Sequence, residues 1–147
     1  MLITALSLAA LLFAEGTHTP GPTSGDILEN LDSAQRIMGL SGGSLRHEGS
    51  GGLDEGEEIG FALRLTPGAV YRIVAVCDRD CSDMDMWAEG GPDEILGEDF
   101  DPRSIAMLLI QAPASGAVTL HASVAACSAE PCAYGYRVYE QVGGSGW

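Results

Sequence analysis

Ten carboxylates, Asp78, Asp80, Asp83, Asp85, Glu89, Asp93, Glu94, Glu98, Asp99 and Asp101, crowd residues 78–101. Oxygen-rich clusters are what calcium requires, roughly six to eight hard ligands at about 2.4 Å. Counted from Asp78, a calcium-binding loop would draw on Asp78, Asp80, Ser82, Asp85 and Glu89. The helix-loop-helix form fails. Its sixth position must be a turning glycine and is Asp83, its eighth is normally apolar and is Asp85, and the flanks read as strands. A strand-borne site is the form these residues allow. Asp83 and Asp85, two apart, share one face of a strand, and Asp99 and Asp101 can approach from a neighbouring loop. The candidate calcium ligands are therefore Asp78, Asp80, Asp83, Asp85, Asp99 and Asp101. The competing expectation is that these side chains cap turns through backbone N–H groups or pair with Arg79 and Arg103.

Cys77, Cys81, Cys127 and Cys132 are the second candidate set. With an export leader they imply an oxidising compartment and two bridges, for which three pairings exist. Proximity favours Cys77 with Cys81 and Cys127 with Cys132, each pair just past an apolar run where a strand should turn. The chain-entropy argument alone leans the other way, giving about 2 kcal/mol for so small a ring and about 4 kcal/mol for a bridge between the two pairs. Four thiolates on zinc is the alternative, but the spacings are looser than a C-x2-C knuckle and exported thiols are rarely kept reduced.

Little here supports catalysis. The histidines are His18, His47 and His121, and no Gly-x-Ser-x-Gly, His-Glu-x-x-His or phosphate-binding glycine loop accompanies them. Trp87, Tyr134, Tyr136 and Tyr139 fall on β-type runs. Exposed aromatics of this kind can stack on sugars or anchor a protein, although core or cross-strand packing is their commoner use. The chain has seven arginines, no lysine and 21 Asp plus Glu, a formal charge of -14. Such a surface repels nucleic acid and anionic lipid and suits cations or basic partners.

The elements that must hold these residues follow from periodicity. Residues 1–14 (MLITALSLAALLFA) read as a signal peptide, too short to span a bilayer comfortably. Residues 15–25 read as a flexible tether rich in Pro, Gly, Ser and Thr. Ile27, Leu28, Leu31, Ala34, Ile37 and Met38 recur every three or four residues, predicting a short helix over 26–40. One short strand is expected around 45–47, in a glycine-rich stretch. From Glu57 the period becomes two. Ile59, Phe61, Leu63 and Leu65 alternate with smaller or polar residues, Thr66-Pro67-Gly68-Ala69 supplies a tight turn, and 70–77 returns as a strand apolar on both faces, so a hairpin is expected. Further runs fall at 84–88, 95–98, 105–111, 117–125 and 134–140, with Thr119, His121 and Ser123 facing out. Seven or eight antiparallel strands over 41–142 predict an all-β, jelly-roll-like sandwich, followed by a loose tail at 143–147.

In order along the chain stand Glu57-Glu58, Phe61-Ala62-Leu63, Pro67-Gly68 with Tyr71, the block Cys77-Asp78-Arg79-Asp80-Cys81-Ser82-Asp83-Met84-Asp85, Glu98-Asp99, Pro113 with Ser115-Gly116, and Cys127 before Pro131-Cys132-Ala133-Tyr134-Gly135. This succession, over about 26–142, resembles the pre-peptidase C-terminal domains, β-sandwich modules of exported bacterial proteins. The resemblance implies an accessory role in substrate or surface binding or in secretion, with calcium in some related modules. The expectation is thus a monomeric, non-catalytic binding or accessory module of the periplasm or exterior, stabilised by calcium if the acids hold it, with a purely structural envelope protein and then a small carboxylate-dependent hydrolase as the alternatives. Its partner would be a protein or polysaccharide, with no nucleic acid partner and no membrane span once the leader is removed.

Overall fold

A computed structural model describes residues 25–142; the expected leader, all of the tether but Gly25, and the tail at 143–147 lie outside the described residues. One helix precedes eight strands: α1 Gly25–Ile37, then β1 Gly43–Leu53, β2 Glu58–Arg64, β3 Val70–Cys77, β4 Cys81–Gly91, β5 Glu94–Asp99, β6 Ile105–Gln111, β7 Ala117–Cys127 and β8 Cys132–Gln141. They form two four-stranded antiparallel sheets, ordered β1-β8-β3-β6 and β2-β7-β4-β5. Strands 1 and 8, 2 and 7, 3 and 6, and 4 and 5 are all hydrogen-bonded pairs, so the chain is one long hairpin rolled onto itself. That is jelly-roll topology.

The doubly apolar β3 finds its reason here. Tyr71, Ile73 and Ala75 face the other sheet, where Met84, Met86, Leu120 and Val124 meet them. Val74 and Val76 face outward and are covered by Ile27, Leu31 and Ala34 of α1. A helix on one side and a sheet on the other bury both faces of this central strand from Ile73 to Cys77. At Gly135 of β8 a Cβ would lie 2.6 Å from Cγ2 of Ile27 and 3.0 Å from Cδ1 of Leu31, so only glycine lets α1 dock this closely. Arg137 of β8 then ties the helix down through Asp32 at 2.8 Å, and Tyr139 donates to Gln35 at 3.1 Å.

Two expectations need correction. Strands 59–65 and 70–77 do not form a hairpin, because β2 pairs with β7 in one sheet and β3 with β6 and β8 in the other. The Thr66–Ala69 turn forms as expected, with Gly68 at φ 76° and Ala69 N–H donating to Thr66 at 3.1 Å, but it carries the chain across the sandwich. It runs beside the Pro113–Gly116 turn that returns it, through Leu65 N–H to Gly116 at 2.8 Å and Gly68 N–H to Ala112 at 3.0 Å. Pairing β2 with β3 would have placed both apolar faces in one layer with no second layer to cover them. The short strand at 45–47 is the second correction: β1 runs through the glycines to Leu53. Gly49 and Gly51 pair with Tyr136 and Tyr134, whose rings lie where a Cβ would be, at 2.6 Å and 3.0 Å. The cross-strand rings fill the space that β1 side chains would occupy, so β1 carries no hydrophobic period to read.

The cysteines pair locally, Cys77 with Cys81 and Cys127 with Cys132. The two bridges sit at one end of the sandwich, where Cys81 is the β4 partner of Cys127.

Candidate functional site

The outward positions of β4 are Asp85, Trp87 and Glu89, because Met84, Met86 and Ala88 are spent on the core. Antiparallel register sets β7 beside them, Ser123 opposite Asp85, His121 opposite Trp87 and Thr119 opposite Glu89. On the far side of β7, β2 adds Glu58, Gly60 and Ala62 in the same three rows. On the other side of β4, β5 adds Glu98 opposite Trp87 and Ile95 opposite Glu89. The result is a grid of side chains on the open face of the second sheet. Neighbouring strands lie about 4.8 Å apart and successive rows about 6.7 Å apart.

Aromatic rings run across the middle of the grid. The rings of Trp87 and His121 are parallel within 1° with centroids 4.9 Å apart, and the ring of Phe100, 53% exposed, is tilted against Trp87 with centroids 5.7 Å apart. His121 is held from two strands at once. Its Nδ1 is 3.1 Å from Glu58 Oε1 and its Nε2 3.2 Å from Glu89 Oε2. A neutral imidazole can donate to only one of these carboxylates, whereas the protonated ring donates to both. With its side chain 17% exposed, His121 acts as a brace across β2, β7 and β4 beneath the more exposed acids.

The six candidate calcium ligands separate into different duties. Asp78 caps the turn after β3, accepting from Asp80 N–H at 3.1 Å and Ala133 N–H at 2.8 Å. Asp80 lends its backbone carbonyl to Ser128. Asp99 accepts from Asp101 N–H at 3.1 Å and Met107 N–H at 2.8 Å, the second bond covering part of the free edge of β6. Arg103 pairs with Asp101 at 3.0 Å and more loosely with Asp99. Asp83, Asp85 and Asp99 do come close enough to feel one another. Burial, then the charges of Asp83 and Asp99, push the Asp85 carboxyl above the usual carboxylate range. Asp83 Oδ1 is buried and meets no donor. Among the described residues no group of three or more His, Cys, Asp or Glu is placed to hold a metal.

Tyr134, Tyr136 and Tyr139 are buried, the first two in tilted ring contact with Phe61 inside the sandwich. Of the aromatics singled out in the sequence, Trp87 is the one on an open face. Sequence reasoning missed Glu58, Glu98 and Phe100 as neighbours of Trp87 and His121. The signal was the alternation within each strand, but which strands lie side by side was not in it. On the first sheet, the part that α1 leaves uncovered forms an apolar groove of about 350 Å³ lined by Met38, Leu40, Arg72, Met107 and Leu109. No described helix is long and apolar enough to cross a membrane.

Compared with known proteins, the chain matches no family model and no curated sequence. Among solved structures it is similar to the CBM36-1 domain of a multidomain xylanase from the hindgut metagenome of Trinervitermes trinervoides. The two share 17% identity over 74% of this chain and 95% of that one, with a TM-score of 0.37.

Proposed function

We propose that the chain is an exported, non-catalytic binding or accessory module, comparable in role to the pre-peptidase C-terminal domains. Its ligand, a protein or a polysaccharide, is met by the open face of the β2-β7-β4-β5 sheet. The observation that carries this reading is the in-register pair of Trp87 and His121, with the exposed Phe100 ring 5.7 Å from Trp87 and acids around them, an amphipathic surface that the core does not require. Two disulfides support an oxidising compartment. Binding rather than catalysis is supported by His121, whose two ring nitrogens are both taken by Glu58 and Glu89 and so are not open to a substrate.

The test is backbone NMR of the protein titrated with soluble neutral polysaccharides and with short peptides of differing charge. A specific ligand should shift the amides of β4 and β7 around Trp87 and His121, and Phe100→Ser should weaken it. Shifts confined to the α1 side, or binding indifferent to Phe100→Ser, would overturn the assignment. Calcium stabilisation is a second reading, favoured by the partnerless oxygen of Asp83 beside Asp85 and Asp99. Calorimetric titration with calcium checks it, and an absence of both heat and melting shift removes it.

A further inference from the structure

We propose that the ligand of this face is an extended basic peptide segment, with Lys or Arg side chains four residues apart on either side of an apolar one. The proposal rests on the reading of the open sheet face as the ligand surface.

Geometry sets the spacing. Asp85, Trp87 and Glu89 project from alternate positions of one strand, so carboxylate, aromatic and carboxylate succeed one another at about 6.7 Å and the two acids stand about 13 Å apart. A second extended chain has the same repeat. Laid along β4, its residues i, i+2 and i+4 fall over Asp85, Trp87 and Glu89 in turn. Phe100, exposed beside Trp87, widens the apolar middle of that track, and Glu98 opposite Trp87 adds a further negative charge.

Charge sets the sign. The chain carries a formal charge of -14, and three of its seven arginines are engaged in ion pairs with its own carboxylates. Arg46 pairs with Glu140, Arg103 with Asp99 and Asp101, and Arg137 with Asp32 and Glu48. Arg64 ends β2, one row beyond Ala62. Asp85, held above the usual carboxylate range by burial and then by the charges of Asp83 and Asp99, is stabilised in its ionised form by an incoming cation. Glu89 gives one oxygen to His121 but is 39% exposed and can pair outward as well.

Stacking argues against a sugar as occupant. A pyranose ring needs an open aromatic face, and the indole of Trp87 has the His121 ring stacked on it at 4.9 Å and the tilted Phe100 ring 5.7 Å away.

The experiment is a fluorescence titration in the Trp147→Phe background, which leaves Trp87 as the reporter because the chain has two tryptophans. The probe is a capped peptide carrying Lys-Ser-Leu-Ser-Lys, run against its Glu-Ser-Leu-Ser-Glu counterpart and against Lys-Lys-Leu-Ser-Ser, which keeps composition and breaks the spacing. The spaced lysine peptide should bind, and weaken several-fold as salt is raised from about 0.05 to 0.5 M. The acidic peptide should not bind, and the misspaced one should bind more weakly. The double variant Asp85→Asn with Glu89→Gln should lose about tenfold in affinity. Glu98→Gln, outside the histidine brace, serves as a second probe should the double variant melt early, and it too should weaken binding. Equal affinity for the basic and acidic peptides, for the two lysine spacings, or for wild type and both variants would overturn the proposal. A neutral soluble polysaccharide is titrated in parallel. Binding that depends on Phe100 without any binding of the lysine peptide overturns the ligand class and leaves the face standing, whereas silence from both takes down the two readings together.

Discussion

Gly135→Ala should destabilise the domain, by an amount that can be worked from the helix seat. The added methyl would stand 2.6 Å from Cγ2 of the fully buried Ile27 and 3.0 Å from Cδ1 of Leu31, so α1 must lift by several tenths of an ångström or more. Overpacking of this kind costs about 1–3 kcal/mol. Against it stands a gain of roughly 0.5–1 kcal/mol from stiffening the unfolded chain. The net loss is about 1–2 kcal/mol, or a fall in Tm of about 4–8 °C for a domain of this size, read by circular dichroism or calorimetry on the oxidised protein. Repeating the substitution with Ile27→Ala tests the cause, since that change removes the nearest obstructing carbon. The Ile27→Ala protein starts about 2–5 kcal/mol less stable, but there the added methyl should cost less than about 0.5 kcal/mol, a coupling of about 1 kcal/mol or more. If Gly135→Ala costs the same in both backgrounds, or nothing in the first, the close docking of α1 on β8 is not what glycine serves.

Three further outcomes are expected. Asp85→Asn should raise stability near neutral pH in the presence of a chelator. The folded state holds the Asp85 proton more tightly than the unfolded chain, so the native contribution is full below the ordinary value of 3.8, is lost as pH rises through the raised folded value, and the variant's advantage should vanish in acid melts; a loss of stability at neutral pH in chelator would refute this. Tyr134, pushed up to about 12 by burial and then by Tyr136, should ionise last in an absorbance titration, and stability should fall between about pH 10 and 12 as the unfolded chain gives up a proton that the fold retains; Tyr134→Phe should remove that last phase. Replacing Cys127 and Cys132 together by alanine should cost about 2 kcal/mol, the small-ring value, in denaturant melts; a loss above about 4 kcal/mol would mean that the bridge orders native structure beyond its own loop.

Much of the fold was legible in the sequence because burial leaves a period. Alternation in β2 and β7, the doubly apolar run of β3 and the three-and-four spacing of α1 all record which side of each element meets apolar neighbours. Proximity along the chain likewise pointed to both disulfides. Where the partner supplies the packing, the record vanishes. The glycines of β1 are silent because Tyr134 and Tyr136 fill the space above them, and the same tyrosines, candidates for exposure in the sequence, are core for that reason.

The sequence by itself determined that β7 turns a histidine between two hydroxyl residues outward, and it put acids and a tryptophan on β4 without fixing the side the tryptophan takes. Only the tertiary structure decided that β4 lies between β7 and β5, that β2 crosses to the sheet opposite β3, and hence that Glu58, His121, Glu89 and Trp87 meet. The reason is physical. Alternation fixes the face of a strand but not its neighbours, and strand order is chosen by closing two apolar layers over one core, a condition on the whole chain that no single segment carries.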